Sequence, residues 1–235
     1  PPLPEQHKIA SILSTVDDVI EKTDEVIGKA EMLKRGLIQR LLTRGIGHTK
    51  FRKTALGEIP AEWNIVRLGE KITLQRGSDL PRKKRRNGKV PVIGSNGIVG
   101  YHDEHKAEGP GVIIGRSGTL GKVYYCESNF WPLNTSLYVK KFYDCHTKFI
   151  YYFLHNIPLR RFSAGTSVPT LNRNYVHPIK VVFPRDFKEQ EKIANILTCV
   201  DEKIGEEKYH KEQLMKLKKG LMQVLLTGKV RVKVA

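Results

Sequence analysis

EQHKIASIL occupies residues 5–13, and EQEKIANIL occupies residues 189–197, which lie 184 positions later. The two copies stay in register without a gap as far as the LLT at residues 41–43 and 225–227. They share 18 identities over 39 aligned positions, more than two unrelated helices share by chance. A repeat of this length indicates two copies of one structural element, placed on either side of a middle segment.

Both copies are predicted to be long helices. Their apolar residues recur at alternating steps of four and three, which is the heptad spacing of a coiled coil. Gly45 and Gly228 follow the last leucines, as is typical of a helix C-terminus. At about 1.5 Å per residue, 39 residues give a helix of about 58 Å, and we favour a two-helix coiled coil over an ordinary bundle. The predicted seam consists of Ile9, Leu13, Val16, Ile20, Ile27, Leu37, Leu41, Ile193, Leu197, Val200, Ile204, Leu214, Leu221 and Leu225.

A second apolar stripe lies beside this seam in the first copy. Its members recur at seven-residue intervals, so they share one face of the helix. The stripe widens the apolar face of this helix. It consists of Ile12, Val19, Val26 and Leu33.

The order of the elements predicts their direction. The first helix runs into the middle segment and the second runs out of it, so a packed pair is antiparallel. Two similar antiparallel helices are related by an approximate two-fold axis, which maps the middle segment onto a vacancy before the first helix. We therefore expect either a further domain upstream or a homodimer that restores the symmetry.

The charge of the chain is concentrated in the middle. The 235 residues contain 41 Lys and Arg against 24 Asp and Glu, for a net charge of +17, and a hydrophobic content of 40% excludes a disordered basic tail. Residues 46–182 alone carry 22 basic and 9 acidic side chains, or +13. This favours a polyanion, since neutralising phosphates releases counterions. An anionic membrane surface would favour a basic amphipathic helix, and solvated surface charge is the third interpretation.

Membrane and secreted classes are not favoured. No uncharged apolar run approaches the roughly 20 residues of a membrane span or forms the core of a signal peptide. The three cysteines, Cys126, Cys145 and Cys199, are odd in number and far apart, so we interpret them as reduced thiols without a disulfide or zinc site. The prediction is a cytoplasmic protein with no membrane partner.

The middle segment has a different sequence pattern from the two predicted helices. Short β-rich runs alternate with glycines, and a helix is predicted near Phe149–Asn156, which together indicate a mixed α/β domain with many loops. The predicted domains are 1–45 (first helix), 46–182 (mixed domain) and 183–235 (second helix). The predicted strands are Val90–Gly94, Gly111–Gly115, Gly121–Tyr125 and Ser136–Val139.

Five motifs in the middle segment, with the two EQxKIA helix starts, resemble the DNA-specificity (S) subunit of type I restriction-modification systems. Each motif is weak alone, but the ordered set is specific and covers nearly the whole chain. The resemblance implies a mixed α/β target-recognition domain flanked by two long helices forming an antiparallel coiled coil. The chain is similar to the central helix, second recognition domain and distal helix of that family. The motifs are GEIPAEW (57–63), PVIGSNGIVGY (91–101), VIIGRSGTLG (112–121), WPLNT (131–135) and TSVPTLN (166–172).

The resemblance also implies function and partners. The recognition domain would contact one half of a bipartite site in double-stranded DNA. The helices would act as a spacer, since about 58 Å corresponds to about 17 base pairs, and would dock methyltransferase (M) subunits and later the restriction/translocase (R) subunit. S-adenosylmethionine, ATP and magnesium would belong to those partners, and we expect no cofactor on this chain.

The densest basic cluster is a candidate for contacts with DNA phosphates. Its cations follow Pro81 in a loop that we interpret as flexible, and phosphate contacts there would add affinity and salt dependence without sequence preference. A solvated loop is the alternative. The candidates are Arg82, Lys83, Lys84, Arg85 and Arg86, with Arg76 as a weaker one.

Base recognition requires hydrogen-bonding side chains on short, positioned loops. Two glycine-flanked loops and one further polar loop supply such groups. At the Asn-Gly of residues 96–97, a plain turn is an equally good explanation. The candidates are Ser95, Asn96, Arg116, Ser117, Thr119, Thr166, Ser167, Asn172 and Arg173.

Catalytic motifs are incomplete. The GRSGTLGKV at 115–123 is one residue too long for a phosphate-binding P-loop and has Val after its Lys. Asp103 with the EHK at 104–106 matches a nuclease string, but the domain is poor in the acids that a metal site needs. We predict no catalytic residues and no metal site. Two alternatives are a self-contained restriction nuclease and a coiled-coil scaffold whose basic domain binds RNA or acidic protein.

Overall fold

The computed structural model describes residues 1–164 and 169–233, so the candidates Thr166 and Ser167 lie outside the described residues. The chain divides into two compact units. The helical unit comprises residues 1–37 and the chain from residue 197 onward, and the mixed unit comprises residues 38–196.

Two long helices dominate the secondary structure. Helix α1 spans Leu3–Arg44 and helix α4 spans Phe187–Leu225, with 42 and 39 residues. The predicted seam residues are buried or half-buried along both helices. No helix within residues 1–164 and 169–233 combines the length and apolar character needed to cross a membrane.

The two helices pair in opposite directions within the helical unit. Asp17 of α1 forms an ion pair with Lys218 of α4, and Lys34 forms one with Asp201. Residue numbers that rise along α1 therefore fall along α4. The predicted fold, a mixed α/β domain with two long antiparallel helices, is confirmed.

The stripe that widens the apolar face of α1 lies largely outside the covered seam. Val19, Val26 and Leu33 expose 39%, 46% and 58% of their surface, and Ile12 is half-buried. Two helices cover only the narrow seam where they meet, since a wider stripe needs a further partner to bury it.

The mixed unit contains thirteen short strands in its described part and two short helices. The four-stranded sheet has the antiparallel order β4-β10-β7-β8, and a three-stranded sheet has the order β6-β5-β9, with β5 and β9 parallel. The pairs β1-β2, β3-β13 and β11-β12 complete the unit. The strands are β1 Phe51–Thr54, β2 Gly57–Pro60, β3 Asn64–Arg67, β4 Ile72–Arg76, β5 Val90–Gly94, β6 Gly97–His102, β7 Gly111–Gly115, β8 Val123–Cys126, β9 Trp131–Pro132, β10 Ser136–Phe142, β11 Ser163–Ala164, β12 Thr170–Leu171 and β13 Lys180–Phe183; the helices are α2 Thr147–Asn156 and α3 Arg173–Val176.

Helix α2 provides much of the core of the mixed unit. It packs against β7 and β8. Its Phe149 and Phe153 stack on each other, and both meet the ring of Phe183 on β13 at a steep angle. Each such buried ring stabilises the fold by about 1.5–3 kcal/mol through removal of apolar surface from water.

A buried carboxylate joins the start of the mixed unit to its end. Glu189, in the first turn of α4, accepts hydrogen bonds from Ile46 N (3.0 Å), His48 Nε2 (2.8 Å) and Trp63 Nε1 (3.0 Å). Gly45 makes this approach possible: its φ is +64°, and a Cβ there would lie 2.3 Å from Glu189 Oε1. Glycine is thus required by both conformation and space.

The neighbouring amide secures the loop before α2. Gln190 is fully buried, and its Oε1 accepts a hydrogen bond from His146 N (2.9 Å). Its Nε2 donates to Pro184 O (3.2 Å) and Asp144 O (3.4 Å). Glu189 and Gln190 at the start of α4 therefore anchor the segment after α1 and the loop before α2 to one helical turn.

The first copy of the repeat uses its glutamate in a similar way within the helical unit. Glu5 is buried and accepts hydrogen bonds from Arg231 Nε (2.8 Å) and Nη2 (2.7 Å) and from Val232 N (3.1 Å). The hydrogen bond from Arg231 is the main cause that lowers the pKa of Glu5 from 4.5 to about 2. The segment that follows α4 is thereby held on α1.

Replacing Glu189 tests its role in the mixed unit. Glu189→Ala leaves three donors without their acceptor, so we expect it to lower the free energy of unfolding by about 3 kcal/mol. Urea unfolding followed by tryptophan fluorescence measures this. The exposed neighbour Glu191→Ala is the control and should behave as wild type; an equal loss in both variants would contradict the assignment.

The hydrogen bonds that Glu5 accepts from Arg231 and Val232 should depend on pH. Because its pKa in the folded chain lies below its ordinary value, the stabilisation is complete above about pH 4.5 and is lost as the pH falls towards about 2. The protection factor of the Val232 amide, which is its intrinsic exchange rate divided by the measured rate, should fall through that window. In Glu5→Ala, which removes the acceptor, the protection factor should be low at every pH, and a wild-type protection factor that is unchanged from pH 6 to pH 2 would refute the contact.

Candidate nucleic-acid interface

Polar loops from several strands meet on the mixed unit. Arg116 N and Ser117 N, in the β7–β8 loop, both donate to Thr135 O in the β9–β10 loop, at 2.9 Å and 3.2 Å. Ser95 N, in the β5–β6 turn, donates to Thr135 Oγ1 (3.3 Å). Leu171 N, on β12, donates to Arg116 O (2.8 Å) and attaches that strand to the β7–β8 loop. Three loops and the short strand β12, all distant in sequence, thus form one surface, which we call the loop surface.

A glycine permits the close packing of these loops. A Cβ on Gly115 would lie 1.9 Å from Thr119 O and 2.9 Å from Ser95 O. Any larger residue would push the β7–β8 loop away from the β5–β6 turn. The candidates Ser95, Ser117 and Thr119 are therefore brought together and are half-buried, and Asn96 is exposed at the tip of its turn.

Arg116 lies at the centre of the loop surface. It is half-buried, and its Nη1 donates to Asn134 O (3.4 Å). Burial lowers the pKa of its guanidinium, and the charge of nearby Arg76 lowers it further. Asn134 in turn donates from its side-chain amide to the carboxylate of Asp79. Guanidinium, amide and carboxylate groups are the side chains that distinguish base edges in a DNA groove.

Asn134 and Asp79 were not among the sequence candidates. Asn134 belongs to the WPLNT motif, which the sequence analysis used only for the family resemblance. Its position beside Arg116 arises from the parallel pairing of β5 with β9, which a local pattern does not reveal.

The segment after β12 has a partly structural role. Asn172 caps α3, since its Oδ1 accepts from Asn174 N (3.0 Å). Arg173 is exposed and donates to Leu74 O on β4 (3.4 Å). The side-chain oxygen of Asn172 therefore already accepts a backbone hydrogen bond, whereas the charged group of Arg173 lies at the surface.

The basic cluster is an anchored turn and differs from the flexible loop that was expected. Residues 82–84 form an exposed 3-10 turn. Arg85 donates to Val99 O (2.8 Å), and Arg86 forms ion pairs with Asp103 (2.7 Å) and Glu104 (2.6 Å). The pKa of Arg86 is raised by these two carboxylates. The charge of Arg86 is therefore balanced within the fold, and the outward cations are Arg82, Lys83 and Lys84.

The two acidic side chains of the nuclease-like sequence at residues 103–106 already take part in these ion pairs. Asp103 and Glu104 both face Arg86. Within the part of the chain that the structure describes, no three His, Cys, Asp or Glu side chains cluster as metal ligands would.

A basic cleft borders the β7–β8 loop and was missed by the sequence analysis. Its volume is about 530 Å³, and its lining includes Lys122, Arg160 and Arg161 with otherwise neutral or histidine side chains. Both arginines are exposed on the 3-10 turn Leu159–Phe162. Gly121 fits against that turn, where a Cβ would lie 3.2 Å from Arg160 Cγ. The only sequence signal was the pair of adjacent arginines.

Comparison with known proteins decides the family. The sequence model of the type I restriction modification DNA specificity domain matches residues 60–216. The chain belongs to this DNA specificity family. The matched range contains every described residue of the loop surface and the basic cleft named above.

Relatives and solved structures agree with this assignment. The MjaVIII specificity subunit of Methanocaldococcus jannaschii is 30% identical over 266 residues, covering 99% of this chain and 62% of the relative. The crystal structure of an S subunit from M. genitalium has a TM-score of 0.69 at 22% identity, over 98% of this chain and 62% of the other. The chain thus spans about three-fifths of the length of these specificity subunits.

The sequence predicts phosphate contacts for the basic cluster and base contacts for the loop surface, and substitutions should distinguish the two. Replacing Arg82, Lys83 and Lys84 together by Ala should weaken duplex binding for all sequences and flatten the salt dependence by about 0.9 in log–log slope per lost phosphate contact. Arg116→Ala should instead relax the preference at one base pair, with a discrimination loss of about 1–3 kcal/mol.

Fluorescence anisotropy at several salt concentrations, with matched and mismatched duplexes, measures both effects. Lys140→Ala with Lys141→Ala is the control, since these exposed lysines lie on β10 at the other end from the loop surface. If the Arg116 variant lost affinity equally for all duplexes, the base-recognition role would be wrong.

Proposed function

We propose that this chain is the DNA sequence-specificity component of a type I restriction-modification complex. The loop surface recognises one half of a bipartite site in double-stranded DNA. The observation that carries the proposal is the convergence of Arg116, Asn134 and Asp79 on the mixed unit of a DNA specificity family member. The excess of +13 on residues 46–182 supports a phosphate backbone as the ligand.

The long helices serve as the spacer and as the dock for methyltransferase subunits, and later for the restriction/translocase subunit. Val26 and Leu33 on α1 support docking outside the seam, because they leave apolar surface exposed at a seven-residue interval. A second copy of this chain is a further partner, which would supply the other half-site contact.

The chain itself is proposed to be non-catalytic and cytoplasmic. S-adenosylmethionine, ATP and magnesium act on the partner subunits, where methyl transfer, translocation and cleavage take place. The side chains of the loop surface are suited to hydrogen bonding with base edges and phosphates, and this binding role is what they contribute to the complex.

Selection from random duplexes tests the function. The chain, mixed with a cognate methyltransferase subunit at moderate salt, should enrich a short half-site on sequencing. An inverted second copy of that half-site across a spacer would indicate a symmetric dimer. Binding without enrichment, which simply vanishes as salt rises, or a preference for RNA or single strands, would overturn the proposal.

A matched variant distinguishes recognition of a DNA sequence from general affinity for duplex DNA. Arg116→Ala provides the matched variant, because it should retain duplex binding while the enriched half-site loses one specified position. Nuclease activity proportional to the amount of this chain alone would also contradict the proposed non-catalytic role.

A further inference from the structure

Ion pairs cross between α1 and α4 in the helical unit, and the repeat divides four of them into two classes. A residue of the first copy corresponds to the residue 184 positions later. Asp17 thus corresponds to Asp201, and Lys34 to Lys218. We call Asp17–Lys218 and Lys34–Asp201 the outer pairs. Replacing each residue by its counterpart in the other helix turns one of these pairs into the other.

The outer pairs do not discriminate between helices. In an antiparallel pair of two α1 helices with the same register, Asp17 would face Lys34 of the other helix. In a pair of two α4 helices, Asp201 would face Lys218. Both combinations are as favourable as the observed one, so these pairs fix direction and register alone.

The inner pairs lack this symmetry. Asp24 pairs with Lys211 at 2.6 Å, and Glu31 pairs with Lys208 at 2.6 Å. Helix α1 supplies both acids, and helix α4 supplies both bases. Lys208 is itself the counterpart of Asp24, so the repeat has reversed the charge at this position.

The consequence of that reversal appears when like helices are paired at the same register. Two α1 helices would place Glu31 beside Asp24 of the other helix, twice by symmetry. Two α4 helices would place Lys211 beside Lys208, also twice. Like charges at such positions oppose association, whereas the observed pairing has two attractive contacts there.

We propose that the central quartet of Asp24, Glu31, Lys208 and Lys211 makes α1 accept α4 and reject a second α1. The ends of the apolar seam do not make this choice, because Ile9, Leu13 and their counterparts Ile193 and Leu197 are the same in both copies. In the middle of the seam the copies differ, since the counterpart of Ile27 is Lys211, a member of the quartet. The partner that fits α1 is therefore α4, from the same chain or from a second copy. Two copies that associate through these helices would exchange α4 and would not pair like with like.

Charge reversal in the full chain tests the proposal. One variant carries Asp24→Lys and Glu31→Lys, a second carries Lys208→Glu and Lys211→Glu, and a third carries all four changes. In each two-site variant, like charges on α1 and α4 of the same chain repel each other. Its melting temperature, measured by circular dichroism, should therefore fall. The four-site variant restores opposite charges and should recover the wild-type melting temperature.

Mixing the two-site variants isolates partner choice from stability. If the two variants exchange α4, the basic α1 of the first variant pairs with the acidic α4 of the second. The acidic α1 of the second variant then pairs with the basic α4 of the first. We expect a 1:1 complex by light scattering, preferred over self-association by at least about tenfold. Glu21→Lys with Glu25→Lys is the control, since it makes the same change in charge on α1 at exposed positions outside the cross-helix pairs; it should keep the wild-type melting temperature and form no such complex.

Three outcomes would overturn the proposal. They are a four-site variant no more stable than the two-site variants, a mixture that forms no preferred 1:1 complex, and a control variant that loses as much stability as the central reversal. The measurement needs no DNA, so its result is independent of the proposed recognition function.

Discussion

The mixed unit depends on the buried carboxylate of Glu189. This side chain binds the backbone at Ile46, just after α1, and the indole of Trp63 in the first motif of the domain, so the ends of the unit meet at one group. A carboxylate with three donors is stable in a buried position because the hydrogen bonds replace its hydration. The repeat places Glu5 at the equivalent position, where it binds Val232 N in the helical unit. In each unit, a glutamate at the start of one long helix thus holds the segment that follows the other.

The sequence predicted those parts of the fold that local patterns determine. The strands Val90–Gly94 and Gly111–Gly115 have the predicted bounds, because a short apolar run and its bounding glycine are visible within a few residues. The heptad seam follows equally from spacing. The exposure of the stripe through Val26 and Leu33 does not follow from spacing, since the width of the covered face depends on how many partners a helix has. The spacing of one helix contains no such information.

The candidate site was predictable to the extent that its residues lie in one loop. Arg116 and Ser117 stand between glycines and were found in this way. Asn134 reaches the same surface only through strand pairing, and Arg160 only through packing of its turn against Gly121. Conversely, Arg86 belongs to a dense basic run but is neutralised by Asp103 and Glu104 from another strand end. Charge density in the sequence therefore identified the right domain without identifying which cations face outward.

In the loop surface, the groups that hold the loops are distinct from the side chains that we propose to recognise bases. Thr135 O accepts from two backbone amides, and Arg116 O accepts from Leu171 N, so these attachments use the main chain. The side chains of Arg116 and Asn96 contribute little to that network. A change of side chain at these positions alters the hydrogen-bonding pattern offered to DNA and leaves the backbone bonds in place. Gly115 is the opposite case, because any Cβ there would collide with Thr119 O. Variation in the recognised sequence should therefore arise at the loop side chains, on a framework held by glycines and main-chain hydrogen bonds.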